Sequence, residues 1–414
     1  MLVNNVNTVN PRLESQKRLG QMLADHYVGA RELANTKEQP IAWASILAPT
    51  EILWAMDFYV QFPESYAATS GARHVARDYC ELTERNEYEH HLCTYCRNHL
   101  GATIGEINGI EPYEGLARPD FLLVANNSCV LITKWWEHLS NLLGIPMFNI
   151  DCPVIVDGMD EKQAINHVKD QCLDLIKFLE EFTGKKFDND KLKEIVSNGK
   201  KSAEKYRAML NVNKHDPAPA TFFDLMFHNF PNLALRYKPE AAEHYRLMED
   251  ELKQRVRNRI VPMDNMKYRI YWDGIPYWFA IKNLSNKLQS LGMCLVTSSY
   301  LEVFSYDRLD PDRPLESVAE NTAVSLFSNT LSRKAEITKG LVLDYKLEGG
   351  IFANSLSCKP TSVPMRYVAD FLQKQTNIPI VMIEGDPVDD SFYDEERNYM
   401  KFQALVEMLE AKEK

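Results

Sequence analysis

Eight cysteines lie along the chain, and four of them are placed where redox or metal chemistry could use them. Cys93 and Cys96 form a Cys-x-x-Cys within Leu92-Cys93-Thr94-Tyr95-Cys96-Arg97, while Cys129 and Cys358 each follow a short polar turn. Thiolates bind soft metals and iron–sulfur clusters, and a close pair can also cycle to a disulfide. Alone, the Cys-x-x-Cys does not choose among a redox pair, a zinc half-site and chance. A closed zinc site asks for a second close pair, and Cys129, Cys152, Cys172 and Cys294 stand singly. Dispersed cysteines from three segments suit a cluster with one iron left open. Buried packing cysteines are the other reading that the spacing allows.

Positioning such thiols is the work of the surrounding elements. Phe121 to Ala125 is a continuous apolar run, as expected of a parallel strand covered on both faces. Asn126-Asn127-Ser128-Cys129 turns the chain, Ile132, Trp135, Trp136, Leu139 and Leu143 recur at helical spacing, and Ile145 to Asp151 makes the next strand. The same order returns with the strand Gly350 to Asn354, the turn Ser355 to Cys358, a helix from Pro364 to Thr376 and the strand Ile378 to Asp386. Each unit has an Asn at the strand-to-turn junction, a cysteine, a helix, an Ile-Pro strand start and an acidic strand end. Ligands collect outside the carboxyl ends of parallel strands, so two facing units would bring Cys129 and Cys358 into one cleft.

Elsewhere the pattern predicts helices over Leu13 to Lys37, from Pro49, over Ala67 to Arg85, over Glu161 to Leu210 and over Pro239 to Arg259. Val60 to Phe62 reads as a short strand, as do Tyr268 to Trp272 and Met293 to Ser298, with a helix around Leu284 to Leu291 between the last two. Residues 310 to 316 turn into a further helix. The fold class is α/β, with two Rossmann- or flavodoxin-like doubly wound parallel sheets. The divisions are an N-terminal helical segment (1–38), a first α/β domain with Cys93 and Cys129 (39–160), a mainly helical connection (161–265) and a second α/β domain with Cys358 (266–414).

Composition narrows the partners. With 47 basic and 58 acidic side chains the formal charge is -11, so no general field draws the chain to nucleic acid or anionic lipid. No apolar run approaches the roughly 20 residues that span a bilayer, and Met1 to Arg12 lacks the pattern of a secretory signal. A cytoplasmic setting with reduced thiols is the expectation. Cys152, Cys172 and Cys294 read as core or helix cysteines, and Trp135 and Trp136 as helix-to-sheet packing. His90 and His91 are adjacent, which points their side chains apart into solvated or capping roles. The acidic run Asp386 to Glu396 reads as a solvated loop and helix start.

Nearly the whole chain resembles the 2-hydroxyacyl-CoA dehydratase and benzoyl-CoA reductase family, in its larger, alpha-type subunits. The resemblance is carried by Phe62-Pro63-Glu64 with Ala67-Ala68, Leu92-Cys93-Thr94-Tyr95, Asn126-Asn127-Ser128-Cys129 with Lys134-Trp135 and Glu137, Gly274-Ile275-Pro276-Tyr277-Trp278, and Ser357-Cys358-Lys359. It implies that Cys93, Cys129 and Cys358 ligate a [4Fe-4S] cluster and that Cys96 does not. It further implies an acyl-CoA substrate, a homologous second subunit (a homodimer being the alternative) and an ATP-hydrolysing [4Fe-4S] activator that supplies one low-potential electron. A ketyl radical anion then expels the 2-hydroxyl group to give 2-enoyl-CoA.

By the same resemblance, Glu64 falls in the substrate pocket as a proton-transfer group; a first-turn helix carboxylate is its ordinary reading. Where dehydratases carry a substrate-contacting Ser, three residues after Trp43, this chain has Ile46, with Ser45 beside it. That departure leaves room for a dearomatising benzoyl-CoA reductase B-type subunit, which Cys93-Thr94-Tyr95 and the segment from Tyr306-Asp307 to Glu316 also resemble. Trp43 and Phe62-Pro63-Glu64 favour the dehydratase, which ranks first. A double-cubane cluster reductase of small molecules is a further alternative, one that needs ligands beyond Cys96. A redox-silent scaffold is disfavoured by the three matching cysteines.

Overall fold

A computed structural model describes residues 12–105, 109 and 111–413. The stretch Met1 to Arg12, read as lacking a secretory pattern, therefore lies, apart from Arg12, outside the described residues. Two four-stranded, all-parallel sheets organise the chain. The first has the order β2-β1-β3-β4, with β1 at Ile41–Ala44, β2 at Tyr59–Gln61, β3 at Phe121–Ala125 and β4 at Met147–Ile150. The second has the order β6-β5-β7-β8, with β5 at Tyr268–Asp273, β6 at Met293–Ser298, β7 at Gly349–Ser355 and β8 at Ile380–Gly385.

The two sheets share one topology, and their central pairs share one register. Trp43 of β1 pairs with Leu122, Trp272 of β5 pairs with Ile351, and Cys129 and Cys358 follow those partners at equal distance along the chain. In each sheet the chain departs in opposite directions from the middle pair, so a crevice opens at the carboxyl ends of β1 and β3, and of β5 and β7.

Both faces of each sheet are covered, which is why the strands read as unbroken apolar runs. Phe121, Leu123 and Ala125 pack with the helices Glu161–Thr183 and Asn189–Val212, while Leu122 and Val124 pack with the helix Val130–Leu143. In the second sheet Ile351 and Ala353 meet the C-terminal helix Glu395–Glu413, and Phe352 meets the helices Leu331–Asp344 and Lys359–Thr376. The helix Pro314–Ala323 crosses back to pack on Glu161–Thr183 beside the first sheet. No described helix is long and apolar enough to cross a membrane.

Several elements differ from the sequence pattern, each for a local reason. The stretch Ala67 to Arg85 is two helices, Pro63–Ala72 and Ala76–Arg85. His74 takes a left-handed conformation between them and lets the Val75 N–H reach back to the Ser70 carbonyl. Strand β1 is only four residues long, too short for an alternation or run to register. The Cys358 helix starts at Lys359, with Pro364 inside it; Pro364 gives up the intrahelical bond to the Pro360 carbonyl and crowds that carbonyl with its ring.

The helix Thr94–Ile104 gives no amphipathic signal because Thr94, Cys96, Arg97, Asn98, His99, Leu100 and Gly101 are all buried. It lies tight against Ala76–Arg85: a Cβ on Gly101 would overlap the Tyr79 carbonyl and crowd Thr83 Oγ1 at 2.9 Å. Since the obstacle is backbone, Gly101→Ala is expected to cost about 1–3 kcal/mol, as overpacking does. Urea denaturation checks this, and an unchanged midpoint would contradict the packing described.

Candidate active site

Cys93, Cys129 and Cys358 occupy the same local position: each is the residue immediately before a helix, at the N-termini of Thr94–Ile104, Val130–Leu143 and Lys359–Thr376. First-turn N–H groups lack intrahelical partners and carry the positive end of the helix dipole. None of the sulfurs makes a regular capping bond. The N–H groups of Cys96, of Leu131 and Ile132, and of Thr361 nevertheless favour the thiolates of Cys93, Cys129 and Cys358 respectively.

Burial works the other way. It raises all three thiols, Cys93 well above the ordinary range and Cys129 to about 11. Repulsion from Cys358 adds to the rise at both Cys93 and Cys129, so the three sulfurs converge on one region. Cationic iron would relieve that repulsion and keep the thiolates ionised.

The turns that aim these cysteines are fixed by side chains. Asn127 Nδ2 donates to the carbonyls of Leu47 (3.0 Å) and Thr322 (2.8 Å), pinning the Cys129 turn to the end of β1 and to the Pro314–Ala323 helix. Asn126 Nδ2 donates to Asp151 (2.7 Å) and its Oδ1 accepts from Cys152 N (2.6 Å), joining the ends of β3 and β4. At the second turn Ser355 Oγ accepts from Cys358 N at 3.1 Å.

Cys93 lies on neither sheet and is held by hydrogen bonds that sequence reasoning missed. Thr94 N–H donates to Ser357 Oγ (3.2 Å), Thr94 Oγ1 donates to Asp386, and Ser357 N–H donates to Asp386 Oδ2 (3.1 Å). One turn on, Arg97 is fully buried and pairs with Asp389 (2.7 Å) and with Glu84. Asp386 and Asp389 are thus buried, which corrects the reading of the start of this acidic run as solvated, whereas Asp390, Asp394, Glu395 and Glu396 are exposed and a helix starts at Glu395 as read. The separation of Asp386 and Asp389 in sequence from Thr94 and Arg97 left no signal to find.

The donor set fits a multinuclear centre better than a single ion. Among the described residues, the one trio whose ligand atoms all lie within 4.8 Å of each other is Glu89, His90 and His91, exposed ahead of Cys93. The three thiols are therefore spaced more widely than sulfurs around one tetrahedral zinc, roughly 3.8 Å apart. An iron–sulfur cluster fits the all-thiol donor set.

The His90 and His91 rings, expected to point apart, lie 3.7 Å apart because both turn toward Glu89 Oε1. Cys96 is 3% exposed, in the apolar core with Trp43 and Trp135, and burial pushes it up to about 12. Cys152, Cys172 and Cys294 are buried in the two domain cores. Cys80, which the spacing did not single out, is buried and donates to the Thr94 carbonyl at 3.8 Å.

A cavity of about 230 Å³ has Glu64 and Tyr95 in its lining, and these interact electrostatically with Cys129 and with Cys93 and Cys358 respectively. Ile46, Glu64, Tyr95 and Trp278 line one part of it. Glu64 is in the first turn of Pro63–Ala72 and 6% exposed; its Oε1 accepts from the Ile46 N–H (3.2 Å) while Oε2 has no protein partner. Burial pushes its pKa up to about 8, and its charge is felt at Cys129. Tyr95 OH accepts from Trp278 Nε1 at 2.6 Å and keeps its own proton. Ser45 does not line the cavity; its Oγ accepts from the Ala125 N–H (3.0 Å), tying β1 to β3.

Two doubly wound parallel sheets, with thiols at the ends of both, are the frame of the candidate site. The chain belongs to the family described as 2-hydroxyglutaryl-CoA dehydratase, D-component, whose model matches residues 45–409. It is 30% identical over 412 residues to the (R)-phenyllactyl-CoA dehydratase alpha subunit of Clostridium sporogenes, covering 96% of this chain and 98% of that one. It is 28% identical to the (R)-2-hydroxyisocaproyl-CoA dehydratase alpha subunit of Clostridioides difficile, over 98% of both. The B-type subunit of benzoyl-CoA reductase from Thauera aromatica is 26% identical, over 95% of this chain and 94% of that one.

The buried Arg97 pair should be costly to break. Arg97→Met strands Asp389 in a site where it is 4% exposed, and about 3 kcal/mol of stability should be lost. A thermal or urea transition within error of the parent would contradict the role given to this pair.

Proposed function

We propose that the chain is the cluster-bearing subunit of an ATP-activator-dependent 2-hydroxyacyl-CoA dehydratase that yields 2-enoyl-CoA. The observation that carries this reading is Glu64, a carboxyl with one unpartnered oxygen in a largely apolar cavity beside the converging thiols. The family's dehydratase subunits lend it support. Cys93, Cys129 and Cys358 would hold a [4Fe-4S] cluster with one open iron. Such a cluster would supply one-electron, low-potential chemistry at the thioester carbonyl, with a separate ATP-hydrolysing activator as the electron source.

The chain's own residues handle the protons. Glu64 is neutral below about pH 8, so it can give its proton to the departing 2-hydroxyl group, which leaves as water. The carboxylate left behind is then a base for the C3 proton, and taking that proton restores the starting state. Tyr95, its hydroxyl oriented by Trp278, has a proton free to bond the thioester oxygen. The apolar walls exclude bulk water from the radical.

A second reading, a dearomatising benzoyl-CoA reductase B-type subunit, is favoured by Ile46, which offers no hydroxyl for a substrate 2-OH. A larger double-cubane cluster finds no support at Cys96, which is packed into the core. A homologous second subunit completes the enzyme in this account, as the relatives' names as alpha or B-type subunits suggest.

Anaerobic assays with that subunit and the activator separate the readings. Enoyl product with only catalytic ATP use supports the dehydratase; ring reduction with ATP consumed in proportion to product supports the reductase and overturns it. Glu64→Gln is expected to lower turnover by about 10²–10⁴-fold. Parent activity should fall as pH rises through about 8, where Glu64 loses its proton. A burial-raised carboxyl costs stability increasingly from pH 4.5 to about 8, so the variant should melt higher than the parent at pH 8. Parent-like turnover in the variant would contradict the role of Glu64.

A further inference from the structure

The carboxyl end of β5 carries a buried ion pair that the proton chemistry of Glu64 does not use. Asp273, the last residue of that strand, is 0% exposed. Its Oδ1 accepts from the Ser299 hydroxyl at 2.6 Å and from the Tyr271 hydroxyl at 3.1 Å. Its Oδ2 makes no protein hydrogen bond, and the Lys334 ammonium stands 3.8 Å from it. The Lys334 side chain is itself only 13% exposed.

Neither burial nor helix formation favours a cation at this place. An ammonium withdrawn from water is costly unless it is paired, and Lys334 is the fourth residue of the helix Leu331–Asp344, close to its positive end. What offsets this is Asp273, a carboxylate whose orientation two hydroxyl groups fix. The pair borders the Cys358 turn. Asp273, Ser299 and Lys334 line a cavity of about 80 Å³ together with Pro360, Thr361 and Pro364 of the helix Lys359–Thr376. Thr361 is bonded to the cysteine, its hydroxyl donating to the Cys358 carbonyl at 3.1 Å. The charge of Lys334 is felt at Cys358, where it favours the thiolate while Asp386 disfavours it.

We infer that Lys334 raises the reduction potential of the cluster held through Cys358, acting through space without touching substrate, and that Asp273 is the positioning residue that keeps it there. Reduction adds one electron, with no bond formed or broken, to a centre to which three thiolates already bring negative charge. A fixed cation beside that centre makes the added electron less costly, and net charge is among the properties that set such potentials. The inference rests on the cluster reading of the three cysteines and not on the choice between dehydratase and reductase.

The test is a potentiometric titration of the anaerobically prepared complex of this chain with its second subunit, with the reduced cluster followed by electron paramagnetic resonance. Lys334→Met should make reduction about 10-fold less favourable, the order expected of one partly buried charge, which is about 59 mV more negative for one electron. Lys334→Arg keeps the charge and should stay within about twofold of the parent. Asp273→Asn leaves the cation without its counter-charge and should move the potential the other way. Opposite signs from two separate variants keep the inference testable should either one fail to fold. With iron and sulfide retained, an unchanged potential in Lys334→Met, an equal fall in the Met and Arg variants, or a fall in Asp273→Asn overturns the inference alone. A parent complex without iron and sulfide overturns the cluster reading, and this inference with it.

Discussion

The active site depends on one docking: the N-terminus of Thr94–Ile104 against the loops that follow β7 and β8. Cys129 and Cys358 are delivered by the strand ends of their own sheets, but Cys93 has no strand behind it. Thr94 is the hinge of the arrangement, with its N–H on Ser357 and its hydroxyl on Asp386. Those partners flank Cys358, so the same hydrogen bonds that seat the helix fix two thiols relative to each other. Arg97 and Asp389 lock the next turn. Thr94, Arg97, Asp386 and Asp389 are all buried, which makes each of their hydrogen bonds costly to lose and the geometry correspondingly well defined.

Electrostatics gives that geometry its chemical bias. Buried thiols resist ionisation, and three of them resist it more, while the helix N-termini and first-turn N–H groups favour the charged form. A cationic metal centre resolves the conflict. Glu64 is a buried acid of another kind: burial keeps it protonated to about pH 8. The proposed metal-holding role of the thiols and the proposed proton-giving role of Glu64 thus draw on the same low-dielectric surroundings.

What could be read from the sequence follows from how local each signal is. Strands β3, β6 and β7 announce themselves as apolar runs bounded by turns, and the two cysteine units repeat in an order that the matching registers of Trp43 and Trp272 explain. Spacing offers Cys93 and Cys96 together, and only the family's blocks choose Cys93 between them. Its helix is buried on every side, so no periodicity marks it, and strand β1 is too brief to show. Asp386 and Asp389 look like surface acids because nothing near them in sequence reveals Thr94 or Arg97, roughly three hundred positions earlier. Ser45 and Ile46 sit together at the end of β1, yet only the Ile46 side faces the cavity; the Ser45 hydroxyl is spent on β3.

The central claim is that three thiols at helix N-termini hold one cluster. Its most direct test is iron and sulfide per chain, measured anaerobically in single Cys→Ala variants alongside the parent. About four of each are expected in the parent. Cys93→Ala, Cys129→Ala and Cys358→Ala should each lose most of both, whereas Cys96→Ala and Cys80→Ala should keep them. Full iron and sulfide in Cys129→Ala, with its thiol gone, would contradict the account.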